Sequence, residues 1–183
     1  MHRARSLLLA LLTLLPCHAQ RYTFKFYGEE QGLTNLGVQC FVQDHVGFIW
    51  VGTQNGLFRY DGQSFRQFGM ADGLPSNRIE SLDESPDGTL WVGTRVGLAR
   101  RAGDRFERAA INGAQGVYGR NGIASDRRGN IYLATERGLA IGRQDSPGAP
   151  SFSLLAAPGA PASSVYVQAN GTVWFGWGSH VFG

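Results

Sequence analysis

The feature that most limits what this chain can fold into is an interval. "VGFIWVGTQNGLFRYDGQSF", from Val46 to Phe65, and "DGTLWVGTRVGLARRAGDRF", from Asp87 to Phe106, carry glycine, tryptophan, glycine, glycine and phenylalanine in the same order. The anchor glycines Gly47, Gly88, Gly129 and Gly171 stand 41, 41 and 42 residues apart, and the aromatics Trp50, Trp91, Tyr132 and Trp174 keep the same step. Gly52, Gly93 and Gly176 recur two residues after a tryptophan, while Gly56, Gly97 and Gly138 hold a further mark, each followed by leucine. Several registers in phase at forty-odd residues define a repeat architecture, in which each unit buries its apolar surface only by stacking on its neighbours. These glycines and aromatics are therefore read as structural repeat markers.

One repeat resolves into four strands. In the second copy "RIESLDE" alternates apolar and polar residues as a half-buried strand does, and "SPDG" supplies turn chemistry. "TLWVGT", like "FIWVGT", "NIYLAT" and "TVWFGW", has an apolar run that fits a strand covered on both faces. A turn at Val96-Gly97, the strand "LARRA", the turn Gly103-Asp104 and the strand "RFERA" complete a meander. Asn55-Gly56, Asp61-Gly62, Asp87-Gly88 and Asn170-Gly171 are hairpin dipeptides. Repeated four-stranded sheets of this length predict an all-β fold, a β-propeller whose blades stack face to face around a channel. A large flat side chain at one place in every blade would fill the wedge between neighbours, and a ligand platform made by Trp50 and Trp91 is the competing reading.

The expected layout is a closing strand at 22–27 and blades at about 33–68, 74–109, 117–155 and 163–183, the last incomplete, giving about 3.5 to 4 blades. "RYTFKFYGEEQGL" aligns at a spacing of 41 with "GQSFRQFGMADGL", so it reads as a fourth strand without its first three. The chain is either part of a larger ring, the preferred expectation, or a small four-bladed ring closed by that strand. A Pro-, Gly- and Ala-rich stretch from Pro147 to Ala162 reads as a longer loop at the rim.

Arg3 and Arg5, the apolar run Leu7–Leu15 and the small residues Cys17 and Ala19 form a secretory signal peptide over 1–19. Lipidation at Cys17 is the minor alternative, poorly suited by Pro16. Without the leader, fifteen basic side chains face fourteen acidic ones. With no basic stripe, nucleic-acid binding has no electrostatic footprint. Cys40 is then the sole cysteine, so no internal disulfide can form, and its apolar setting suggests a small buried side chain.

Chemistry-bearing residues are sparse. His2 and His18 fall in the leader; His45 reads as an exposed turn residue, and His180 is the other histidine. Glu29-Glu30 and Asp83-Glu84 are adjacent carboxylates that read as solvated, and no metal-ligand spacing occurs. Arg100-Arg101 and Arg127-Arg128 read as rim charges able to meet an acidic partner. Asn170-Gly171-Thr172 matches a glycosylation sequon that its hairpin turn fully explains. No catalytic residue, metal or cofactor is expected, and the ligand-binding residues stay unknown.

"GLPSNRIESLDESPDGTLWVGTRVGLARRAGDRF" and "EQGLTNLGVQCFVQDHVGFIWVGTQNGLFRYDGQSF" resemble the two-component regulator propeller repeat. The resemblance covers Tyr22 to the end, with Tyr132, Ala134 and Trp177 departing from the Trp, Gly and Thr of the pattern. It implies a periplasmic sensor propeller that precedes a small β-sandwich, a membrane helix and a cytoplasmic histidine kinase or diguanylate cyclase. Its expected partners are a small-molecule or carbohydrate ligand, a second copy in a receptor dimer, and the membrane through a later segment only. A secreted propeller enzyme or glycan-binding protein is the alternative, since fold does not decide function.

Overall fold

Four antiparallel sheets stand side by side in the computed structural model, which describes residues 23–143, 150–156 and 160–183. The expected leader at 1–19 lies outside the described residues. Blade 1 is the meander β1 (Val38–Gln43), β2 (Ile49–Thr53), β3 (Gly56–Tyr60) and β4 (Phe65–Phe68). Blade 2 repeats it with β5 (Ser81–Glu84), β6 (Leu90–Thr94), β7 (Gly97–Ala102) and β8 (Arg105–Ala109). Blade 3 holds β10 (Ile123–Ser125), β11 (Ile131–Thr135), β12 (Gly138–Arg143) and β13 (Ser151–Ala156), with the short β9 (Ile111–Asn112) added parallel to β13. Blade 4 has β14 (Ala162–Val167), β15 (Val173–Trp177) and β16 (His180–Phe182). The first strands β1, β5, β10 and β14 are neighbours in turn, the arrangement of propeller blades.

Register follows from the turns. Thr53 pairs with Gly56, Thr94 with Gly97 and Thr135 with Gly138, so each second hairpin is a two-residue loop. The loops are therefore Gln54-Asn55 and Arg95-Val96, one residue earlier than the turns expected at Asn55-Gly56 and Val96-Gly97. Each threonine hydroxyl donates to the carbonyl of the glycine across the turn, at 2.9, 3.0 and 2.7 Å, which fixes the turn internally.

The core lies between blades rather than within them. Trp50 packs on Phe68 of its own blade and on Phe106 of blade 2, with ring centroids 5.5 and 6.3 Å apart. Ile79, Leu82, Leu90 and Val92 of the second repeat complete that buried cluster. Trp91 repeats the arrangement against Phe152 of β13, at 5.5 Å. At Gly52 an added Cβ would lie 2.6 Å from both Cys40 Sγ and Ile79 Cγ2, and at Gly93 it would lie 2.8 Å from Val117 Cβ. Only glycine lets successive blades approach so closely.

The segment expected as a closing strand makes no ladder: residues 23–28 carry no strand. Tyr27 nevertheless packs on Tyr60 at 4.9 Å and on Phe65 at 6.0 Å. One period later Phe68 packs on Phe106 at 5.7 Å, so Tyr27 occupies the place of a preceding blade's outer aromatic. A strand needs a hydrogen-bonding neighbour, and the described residues offer this segment none. The rim loop expected over Pro147–Ala162 is interrupted by strand β13, while 147–149 and 157–159 lie outside the described residues.

Candidate functional site

The first turn of every blade, between its first and second strands, holds the anchor glycine, with φ of 105°, 81°, 83° and 90° at Gly47, Gly88, Gly129 and Gly171. Three residues before each stands Asp44, Ser85, Asp126 or Gln168. Asp44 Oδ1 accepts the backbone N–H groups of Val46, Gly47 and Phe48, and its Oδ2 accepts Trp50 Nε1–H at 2.8 Å. In blade 2 Trp91 Nε1–H donates to Ser85 Oγ at 3.2 Å, and in blade 3 the Tyr132 hydroxyl donates to Asp126 Oδ2 at 3.3 Å. Thus in blades 1 to 3 the marker aromatic is tied to its own turn by an acceptor that the sequence reading passed over. Its signal was available: the position three before the anchor glycine is always a side chain with an oxygen acceptor.

Trp50 and Trp91 are shut away between blades, which removes them as a ligand platform. Gly56 and Gly138 open third strands with φ of 132° and 118°, and Gly97 abuts Pro75. Gly176 faces only Ser163 and Ser164 of its own sheet, and Trp174 is left 39% exposed. Trp50, Trp91, Gly52 and Gly93 lie in seams between blades, whereas the anchor glycines Gly47 and Gly171 serve turns.

On the face of the first turns, the seam between blades 1 and 2 is closed by charge. His45 is exposed as expected, yet its backbone N–H and its Nδ1 meet Glu84 of blade 2 at 2.8 and 2.6 Å. The Glu84 hydrogen bond and charge raise the imidazole pKa above its usual value. Beside it, burial pushes the Asp83 carboxyl up to about 6, opposed by a hydrogen bond from Ser125 of blade 3, and Oδ2 has no partner. The expectation that Asp83 and Glu84 are solvated is therefore corrected: blade stacking covers one and His45 engages the other. Burial likewise raises the Cys40 thiol to about 12, so it is an inert core group.

The seam between blades 3 and 4 is open on the same face. A groove of about 750 Å³ runs between them, walled by Arg127, Arg128, Tyr132 and Arg143 on one side and Gln168 and Asn170 on the other. Arg127 occupies the repeat position of His45, but the position matching Glu84 in blade 4 is Val167. Arg127 and Arg128, expected as rim charges able to meet an acidic partner, thus sit in the wall of this groove.

On the opposite face Glu80, buried, accepts Arg78 Nε at 2.8 Å and Arg95 Nε at 3.1 Å, and Arg95 lies over the Tyr118 ring at 4.9 Å. Its charge is fully matched across the blade 2 turn, which makes it a clamp. Arg100 pairs with Glu107 at 2.9 Å, and Arg101 lies 5.1 Å from the Trp50 ring, capping the first seam. Among the described residues no three His, Cys, Asp and Glu side chains are grouped to hold a metal ion. No helix of the described residues is long and apolar enough to cross a membrane.

Comparison with known proteins agrees with this geometry. The family description "Two component regulator propeller" matches residues 32–55 and 73–95, across the first turn and second strand of blades 1 and 2. Over 52 residues the chain is 35% identical to "Histidine kinase P4" of Formosa agariphila, covering 28% of this chain and 4% of that protein. The structure superposes with a TM-score of 0.69 on a chain named as the extracellular domain of the hybrid two component system BT3049 from B. thetaiotaomicron, at 22% identity over 86% of this chain and 23% of that one. It also superposes on virginiamycin B lyase from Staphylococcus aureus, with a TM-score of 0.58 and 17% identity over 76% of this chain and 48% of the lyase. Both superpositions speak to fold, and the chain spans under a quarter of that extracellular domain. The four blades are a propeller arc, and the first two of its repeats match the two-component regulator propeller description.

Proposed function

We propose that this chain is the ligand-sensing propeller of a transmembrane signalling receptor, exported to the periplasmic side of a bacterial inner membrane. The observation that carries the reading is the match of the two-component regulator propeller description to two consecutive repeats, at the period that shapes the whole arc. Likeness to a histidine kinase over 52 residues supports the same class. In this reading the described residues perform no catalytic step, and a histidine kinase or diguanylate cyclase module elsewhere in the protein supplies the output. Ligand binding shifts the population of a two-state receptor, which requires only that the ligand prefer one state.

Both ends of the arc are suited to further blades. Phe24, Phe26 and Phe41 are exposed at the first blade, and Tyr166, Trp174 and Phe182 at the last. Stacked blades would cover those aromatics, as blades 2 and 3 cover Trp50 and Trp91. The coding sequence beyond Gly183 tests the proposal. Further repeats at forty-odd residues, an apolar stretch of about 20 residues and a kinase or cyclase module are the expected result. A stop directly after the last blade would contradict it and favour a secreted propeller protein.

A further inference from the structure

We infer that the groove between blades 3 and 4 is a binding site for a small organic anion bearing two or more carboxylate or sulfate groups. This deepens the sensing proposal and rests on it for its biological role, though not for the binding itself. The groove has the size of a ligand cleft, about 750 Å³. Its walls bring together three guanidiniums, Arg127, Arg128 and Arg143, and none of them has a carboxylate within ion-pairing distance among the described residues.

Comparison of the two seams shows what is missing. Where His45 finds Glu84 across the first seam, Arg127 faces a blade whose matching residue is Val167. The single acid among the described lining residues, Asp126, is already committed. Its oxygens accept the backbone N–H groups of Arg128 and Asn130, the Asn130 side-chain amide and the Tyr132 hydroxyl. Burial alone would raise its pKa, but those hydrogen bonds win and hold it low, so it stays an anion turned into its own turn. No acid among the described residues neutralises the guanidiniums, which suits them to an external anion.

Guanidinium is the side chain that meets carboxylate and sulfate in a two-point fork. Spreading three of them around one groove selects a ligand with several anionic groups over a single ion. The amides of Gln168 and Asn170 on the facing wall add neutral donors and acceptors for hydroxyls or carbonyls. A small polycarboxylate and a short acidic saccharide share this chemistry. An extended nucleic acid does not suit it, because the charges converge on one concavity and leave no basic track along the surface.

Calorimetric titration of the full chain at low ionic strength tests the site, with citrate, tri-galacturonate, neutral maltotriose and a single-stranded oligonucleotide as probes. Citrate or tri-galacturonate should bind, competing with each other, with an affinity that falls as salt is added. Whichever binds tighter identifies the kind of anion. Arg127→Ala and Arg143→Ala should each weaken that binding about tenfold, the size of one charge-assisted contact, and Arg127→Lys should retain part of it. Unchanged thermal unfolding of the variants separates lost binding from lost fold. Equal binding of maltotriose, tighter binding of the oligonucleotide, or wild-type affinity in the arginine variants would overturn the inference. If the anions bind and receptor output ignores them, the sensing proposal falls and the groove stands. If output responds to another ligand and the anions do not bind, the reverse holds.

Discussion

Blades 2 and 4 share the anchor glycine, the tryptophan and the glycine two residues after it, yet these marks do different work in them. Trp91 is 1% exposed, packed on Phe152 of the following blade, whereas Trp174, in the last of the described blades, is 39% exposed. Gly93 meets Val117 and Ile123 across a seam, whereas Gly176 meets only two serines of its own sheet. Burial is thus a property of the seam and not of the repeat, as expected of an array held together by nearest-neighbour interfaces.

The largest test of that contrast is truncation of the two tryptophans. Trp91→Ala should cost about 3–5 kcal/mol in denaturant unfolding, because it empties a filled seam. In the 183-residue chain Trp174→Ala should cost below about 1 kcal/mol, the range of a half-exposed residue. Equal losses would break the comparison.

A second test uses pH. The Asp83 carboxyl titrates at about 6 in the fold against 3.8 for an ordinary aspartate, so its folded pKa is raised. Its contribution is fully present below about pH 4 and is lost as pH rises through 6, on the order of 3 kcal/mol. His45, also raised, adds a contribution of the same sign that fades as pH rises above its folded pKa. The second seam, where Ser125 covers Asp83, should therefore loosen between about pH 4 and neutrality, whereas the third seam has Ala124 at the matching place and should not. Unfolding profiles of Asp83→Asn should lose this decline; an unchanged profile would show that the buried carboxyl is not its source.

Smaller effects sharpen the picture. Gly93→Ala should destabilise by about 1–3 kcal/mol through overpacking, and Gly176→Ala by below about 0.5 kcal/mol, both read from urea midpoints. Least of all, Arg100→Ala should change stability by under about 0.5 kcal/mol, since its pair with Glu107 is exposed and screened.

The period, the four-stranded meander and the wedge role of the tryptophans were legible in one sequence because they repeat. What repeats poorly was not. β9 is two residues long and pairs in parallel with β13, forty residues on, with no local signal. Asp83 looked solvated on an alternating strand, because the cover comes from Ser125 of another blade. The second-hairpin loops fell one residue early because the glycine there opens the third strand. The groove was invisible for a related reason: Arg127 and Arg128 read as rim charge until stacking set them against Gln168 and Asn170. Lining up the first turns and asking which cross-seam acid is absent would have indicated it.

Amide hydrogen exchange of the 183-residue chain tests the central claim most directly. If seams set stability, the amides of β6, Leu90–Thr94, should be the most protected, and those of β15, Val173–Trp177, should exchange orders of magnitude faster despite the matching sequence. Equal protection in the two strands would contradict the account, because each blade would then be stable by itself and the shared tryptophan would owe nothing to its neighbour.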